Sequence, residues 1–263
     1  MQDGQGSGSG KQFLRASGGV ETFASDVVAR LVKGEFSMTA PLRDDLIERL
    51  MHAVVNSDLT DFEALKPELR RARISPTMFS DRYLPEIARR LGKAWEDDTM
   101  TFAEVTMGSS RLQAILRQIG AGWSADNGSA DDAGLSTVLL IVPQGQQHTL
   151  GAFVLLGQLR RKSISVCLRV GPTEGDLRAL LAVRRFDAAM VSLALPEELE
   201  ATCAMITALK QMTAGQLPIA LGGAALVNFP VAITASEADI VTNDVTLAIK
   251  MLGLTQAIPV DAD

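Results

Sequence analysis

The chain has 263 residues, of which 47% are hydrophobic and 21% charged, and a formal net charge of -6. That length holds two domains of ordinary size, the composition is that of a globular protein, and the acidic balance argues against a dominant nucleic-acid role. The two cysteines, Cys167 and Cys203, cannot build a disulfide framework and read as reduced residues of a cytoplasmic protein. No apolar run is long enough to span a bilayer, no signal peptide is read, and the CxxC, HExxH, Walker and GxSxG motifs are absent.

Residues 1–19 are rich in Gly, Ser and Gln and predict a flexible tail. Residues 20–124 then show helical periodicity. Phe23, Val27, Val28, Leu31 and Val32 mark a first helix, and Leu42, Leu46, Ile47, Leu50 and Val54 a second. Asp58 or Thr60 is placed to cap the next, with Glu63 at capping-box spacing from Thr60 and Phe62, Leu65 and Leu69 on its apolar face. Ser75-Pro76 predicts a further start, with Pro in the first turn and Phe79, Tyr83, Ile87 and Leu91 following. Thr101, with Glu104 three residues on, opens the last helix, which carries Phe102, Val105, Leu112, Ile115, Leu116 and Ile119. Short connections imply antiparallel neighbours and hence a helical bundle. His52, inside one of these helices, reads as an exposed or satisfied side chain.

Residues 125–134 lack periodicity and read as a linker. In residues 135–263 strands alternate with helices. The predicted strands are Thr137–Val142, Ile164–Leu168, Ala188–Leu193, Ile219–Leu221 and Ile240–Val241. The predicted helices are Thr149–Arg161, Glu174–Arg184, Pro196–Met212, a short turn near Ala225–Val227, and Val245–Leu252. Short Val/Ile/Leu-rich strands with helical crossovers imply an α/β fold: a doubly wound, five-stranded parallel sheet covered on both faces, behind the helical bundle. Arg160, Arg161 and Lys162 read as a solvated helix C-terminus.

Candidate chemistry gathers where strands hand over to helices, since ligands of such sheets bind at the carboxyl ends of the strands. The first strand runs into Pro143-Gln144-Gly145-Gln146-Gln147-His148-Thr149-Leu150-Gly151, which places a histidine on the turn and a glycine three residues later. A neutral imidazole is a good transition-metal ligand, and a glycine lets backbone approach a bulky ligand. Ser192 and Ala194 end the third strand, and Gly222-Gly223 follow the fourth.

His148 and Gly151, Ser192 with Ala194, and Gly222-Gly223, in this order, resemble the cobalamin-binding signature DxHxxG … SxL … GG of the methionine-synthase and B12-mutase class. The resemblance implies a flavodoxin-like domain in which the nucleotide tail of cobalamin leaves cobalt and inserts beside the sheet, while His148 becomes the lower axial ligand (base-off, histidine-on). It implies cofactor contacts from Gln146, Gln147, His148, Thr149, Leu150, Gly151, Ser192, Ala194, Gly222 and Gly223, with Thr242-Asn243 as further candidates for the tail. Upstream, Tyr83 to Trp95 resembles the helical cap of light-responsive cobalamin regulators, which sets Trp95 over the upper corrin face.

Two departures carry information. Gln146 stands where the catalytic family has Asp; a neutral amide orients a histidine but couples no proton to cobalt, which argues against turnover and for a protein that is not an enzyme. Val105 and Thr106 stand where the light-sensing repressors have a Glu-His pair; the resemblance implies that they contact the cofactor on its upper face, where no histidine is then expected.

No MerR-type DNA-binding helices are read ahead of the bundle. A bundle plus cobalamin domain without them looks most like the AerR/PpaA antirepressors of purple photosynthetic bacteria. That resemblance implies a light-responsive transcriptional regulator in the cytoplasm, whose partner is a CrtJ/PpsR-type repressor of photosynthesis genes, with no sequence-specific DNA binding and no membrane association of its own. The alternatives are a corrinoid protein of a methyltransferase system and a haem-binding SCHIC-type sensor using the same histidine. A phospho-receiver domain needs acidic residues after the first strand, and Ile141-Val142-Pro143-Gln144 has none.

Overall fold

The computed structural model describes residues 41–56, 59–120, 136–146, 148–228 and 236–254. The chain divides into two compact units, Met1–Arg43 and Asp44–Asp263, and all described elements belong to the second. The predicted tail at 1–19, the helix near 20–32 and the linker at 125–134 lie outside the described residues.

Among the described residues, four helical runs come first. α1 (Asp44–Val55) buries Leu46, Ile47, Leu50 and Val54 along one face, the i, i+3/i+4 stripe expected of it. α2 spans Leu59–Arg71; of the two predicted caps, Thr60 falls inside the first turn and Asp58 lies outside the described residues. The next helical run starts at Ser75-Pro76: the Ser75 hydroxyl accepts the Met78 N–H at 3.0 Å. It passes through a π-type segment, Phe79–Tyr83, into α3 (Leu84–Glu96). The wider turn carries two buried aromatics, Phe79 and Tyr83, stacked with centroids 6.4 Å apart. α4 (Phe102–Gly120) opens on the predicted capping box, with the Thr101 N–H donating to Glu104 at 2.7 Å and the Thr101 hydroxyl accepting the Glu104 N–H at 3.3 Å. Leu84, Ile87, Leu91, Leu112 and Leu116 fill the space between α1, α3 and α4, and Gly108 lets α4 come close to Leu91.

The remaining elements are β1 (Thr137–Val142), α5 (Leu150–Arg161), β2 (Ser165–Val170), α6 (Glu174–Val183), β3 (Ala188–Ser192), α7 (Leu199–Met212), β4 (Ile219–Gly222), α8 (Ala225–Asn228), β5 (Ile240–Val241) and α9 (Val245–Met251). The strands form one five-stranded sheet in the order β2-β1-β3-β4-β5, every pair parallel. This is the flavodoxin-like order, with its switch point between β1 and β3.

Alternate residues of β1 serve opposite cores. Leu139 and Ile141 pack with Leu177 of α6, Ile206 and Leu209 of α7 and Ala225 of α8. Val138, Leu140 and Val142 pack with Ala152 and Leu159 of α5 and Ala248 and Ile249 of α9. The doubly wound reading therefore holds. β2 runs two residues beyond its predicted end, because Arg169 and Val170 pair with Ile141 and Val142 while staying exposed.

The bundle and the sheet meet along α5. At its C-terminus Arg161 donates from Nη2 to both carboxylate oxygens of Asp81, at 2.6 and 2.7 Å, with only 19% and 8% of the two side chains exposed. Arg161 is thus part of a largely buried ion pair, not of the solvated helix end predicted for it.

Candidate functional site at the sheet's carboxyl edge

Residues 143–146 form a turn in which the Gln146 N–H donates to the Pro143 carbonyl at 3.4 Å, with Gly145 third at φ +88°. That conformation suits a type II turn and favours glycine. It lifts the chain off β1 and leads to His148, which is exposed. Gln146 lies the other way: it is 5% exposed, and neither its Oε1 nor its Nε2 has a hydrogen-bond partner. An unmet buried carboxamide costs about 1–3 kcal/mol. Gln147 lies outside the described residues.

Thr149 and Leu150 follow, both half-buried. Thr149 occupies the cap position of α5 without capping it. Its hydroxyl is engaged elsewhere, accepting from Gln113 Nε2 of α4 at 3.2 Å. Gly151, in the first turn of α5, has open space where a Cβ would stand. The histidine turn is thus open to solvent at Gly151 and has a polar tie to the bundle behind it.

Across the switch point, Ser192 ends β3 in register with Gly222. The buried Leu193 then acts through its backbone, its N–H donating to Gly222 O at 2.7 Å and its carbonyl accepting the Ala225 N–H at 3.3 Å. Ala194 is half-buried. Gly223 sits against that same backbone: a Cβ would fall 2.1 Å from Leu193 O, and φ is +127°. A Cβ on Gly222 would fall 2.9 Å from Thr242 O. The two glycines therefore let three strand ends close on one another. His148, Gly151, Ser192, Ala194, Gly222 and Gly223 are brought to one edge, in the strand order β1, β3, β4.

Trp95 lies in the last turn of α3, and Val105 and Thr106 in the first turns of α4, on either side of the connection between the two helices. Trp95 is 52% and Phe102 70% exposed, their rings meeting edge-to-face with centroids 6.4 Å apart. Val105 is half-buried and Thr106 exposed. Phe102 stands eleven residues, about 16 Å of helix, from the Gln113 contact with Thr149.

Sequence reasoning did not find Gln113, whose contact is set by tertiary packing across thirty-six residues. It named Asn243 only as a tail contact, and the carboxamide of Asn243 is committed to Gly223.

Among the described residues no three His, Cys, Asp or Glu side chains gather to hold a metal ion. A single imidazole suits a metal that brings its other ligands with it, as a macrocycle does. Among the described residues no helix is long and apolar enough to cross a membrane.

No family model matches the chain. Two solved structures show distant likenesses. A cobalamin-binding protein from Desulfitobacterium hafniense DCB-2 is 12% identical, with a TM-score of 0.38 over 81% of this chain and 98% of that one. The methanol:cobalamin methyltransferase complex MtaBC from Methanosarcina barkeri is 16% identical, with a TM-score of 0.37 over 90% of this chain and 94% of that one. Sequence similarity is far stronger to the 20.5 kDa protein of the bchF-crtJ intergenic region of Rhodobacter capsulatus: 38% identity over 193 residues, spanning 73% of this chain and 99% of the relative. The chain belongs to the family of that Rhodobacter capsulatus protein.

Proposed function

We propose that this protein is a cobalamin-binding regulator with no enzymatic reaction of its own, which acts on transcription through contact with a CrtJ/PpsR-type repressor. The observation that carries the reading is the β1–α5 turn: an exposed histidine at the switch point, a buried glutamine two residues earlier with an unspent carboxamide, and open space at Gly151. The residues present fit the group. His148 would be the lower axial ligand, and Gln146, within the same turn, has a donor and an acceptor free to orient an imidazole. Ser192 and the Gly222-Gly223 loop would line the place of the nucleotide tail, and Trp95 would offer an apolar cover to the opposite corrin face. Bound cobalamin would supply a cobalt centre with a light-cleavable bond to its upper alkyl ligand.

The chain's own part is to turn occupancy into a change of shape. The Gln113–Thr149 hydrogen bond and the Asp81–Arg161 pair join the bundle to both ends of α5. A ligand that engages both the histidine turn and Trp95 favours one arrangement of bundle and sheet, and with it the form that meets the repressor. The partner reading is supported by the relative, whose coding region lies between bchF and crtJ. Gln146 in place of a carboxylate supports regulation over turnover.

The test is the visible spectrum of the protein with hydroxocobalamin, beside His148→Ala, and with adenosylcobalamin in the dark and after illumination. A His148-dependent shift with co-migrating cobalamin is expected, together with a light-dependent change in repressor binding. No corrinoid binding, with a Soret band on adding haem, would move the site to the haem reading. Methyl transfer from the bound cofactor by an added methyltransferase would replace the regulator with a corrinoid shuttle. Tight promoter binding without the repressor would remove the partner.

A further inference from the structure

Asn243 follows β5 at the sheet's carboxyl edge, and its side chain pairs with the backbone of Gly223 in both directions. The Gly223 N–H donates to Asn243 Oδ1 at 2.7 Å, and Asn243 Nδ2 donates to Gly223 O at 3.0 Å. The local turn does not require this. Thr242 Oγ1 accepts the Asp244 N–H at 3.0 Å, and Asp244 Oδ1 caps α9 by accepting the Thr246 and Leu247 N–H groups at 2.8 and 3.0 Å. Its neighbours close the turn, and Asn243 is left to reach a loop twenty residues away in sequence. The β4–β5 ladder has only two registered pairs, Ala220 with Ile240 and Leu221 with Val241. Beyond it the Thr242 N–H donates to Leu221 O at 3.0 Å, and the Asn243 carboxamide then acts as a further rung made from a side chain. On its other side Gly223 is backed by the main chain of Leu193. The Gly222-Gly223 loop is thereby fixed from β3 and from β5 at once.

We infer that Asn243 is a positioning residue for the nucleotide tail of the cofactor. It holds the Gly222-Gly223 loop against which the tail would rest, acting through Gly223 and leaving the corrin ring to other residues. The inference rests on the cobalamin reading of the site. A loop pinned by two hydrogen bonds at the surface loses its fixed position when both are removed, and a tail that depends on it loses affinity, while the ring does not.

The experiment is an absorbance titration of wild type, Asn243→Ala and Asn243→Asp with hydroxocobalamin and with cobinamide, which has the corrin and cobalt but no nucleotide tail. For Asn243→Ala, affinity for hydroxocobalamin is expected to fall about tenfold, with affinity for cobinamide unchanged. Asn243→Asp keeps the acceptor and loses the donor, so its loss is smaller and of the same selectivity. If the alanine variant does not fold, the aspartate variant decides by the same ratio. Unchanged hydroxocobalamin binding, or equal loss for both corrinoids, overturns the inference and leaves the cobalamin reading intact. Failure of the wild type to bind either corrinoid removes both.

Discussion

At Gly223 an added methyl would stand 2.1 Å from the Leu193 carbonyl oxygen, at a φ of +127°. Gly223→Ala is therefore expected to lower the free energy of unfolding by about 2–4 kcal/mol, measured by urea denaturation. Gly151 is the opposite case. Nothing stands within 4 Å of its missing Cβ, so Gly151→Ala is expected to raise stability by about 0.5–1 kcal/mol, as Ala does in a helix. The same variant is expected to weaken hydroxocobalamin binding in the absorbance titration, since the methyl takes space assigned to the cofactor. Equal affinity in the two proteins would move the corrin off this face. Glu86 adds a pH dependence. Its carboxyl is lowered from 4.5 to about 2, chiefly by the hydrogen bond from Arg89, with Arg90 adding to it and burial opposing. The folded-state value lies below the unfolded one, so the contribution is complete above about pH 4.5 and disappears as pH falls through about 2. Glu86→Gln is expected to be less stable than wild type at neutral pH, with the gap narrowing across that window in acid denaturation curves.

Among the elements, α5 carries the heaviest demand, because it covers the sheet, starts at the histidine turn and anchors the bundle. Removing one partner of a largely buried ion pair leaves the other desolvated and unmatched. Arg161→Ala is expected to cost about 3 kcal/mol in chemical denaturation, and Asp81→Ala combined with Arg161→Ala to recover part of it. A double variant as unstable as the sum of the singles would mean the two side chains act separately. The sequence did not disclose this pair. Arg160-Arg161-Lys162 has the look of any helix C-terminus, and Asp81 lies eighty residues earlier in a π-type segment whose wider turn leaves no mark in the periodicity of Phe79, Tyr83, Ile87 and Leu91. The strands were readable because burial on both faces of a parallel sheet demands unbroken Val, Ile and Leu. β2 was read short because its last two residues are exposed, one of them charged, while their backbones still pair.

For the molecule as a whole, a ligand that binds only the folded form must raise the unfolding midpoint. With free hydroxocobalamin at a hundred times its Kd the gain is about 2.7 kcal/mol, expected in thermal melts of the wild type and absent in His148→Ala. The edge proposed for that site was legible as geometry: His148 and Gly222-Gly223 follow predicted strands, Ser192 lies at the end of one, and the observed strand order sets those ends along one edge. What holds the edge together was not, since Gln113, Asn243 and the backbone of Leu193 act over long separations through groups that no motif registers. Among the described residues, the same strand order leaves the sheet with two unlike borders. β5 offers two residues to any incoming strand, too few to template a pairing, whereas β2 offers six, with Arg169 donating to the Leu168 carbonyl at 3.0 Å. Misassembly under stress, where one copy borrows the open border of another, is thus directed to the β2 side, and the charge at Arg169 stands guard there.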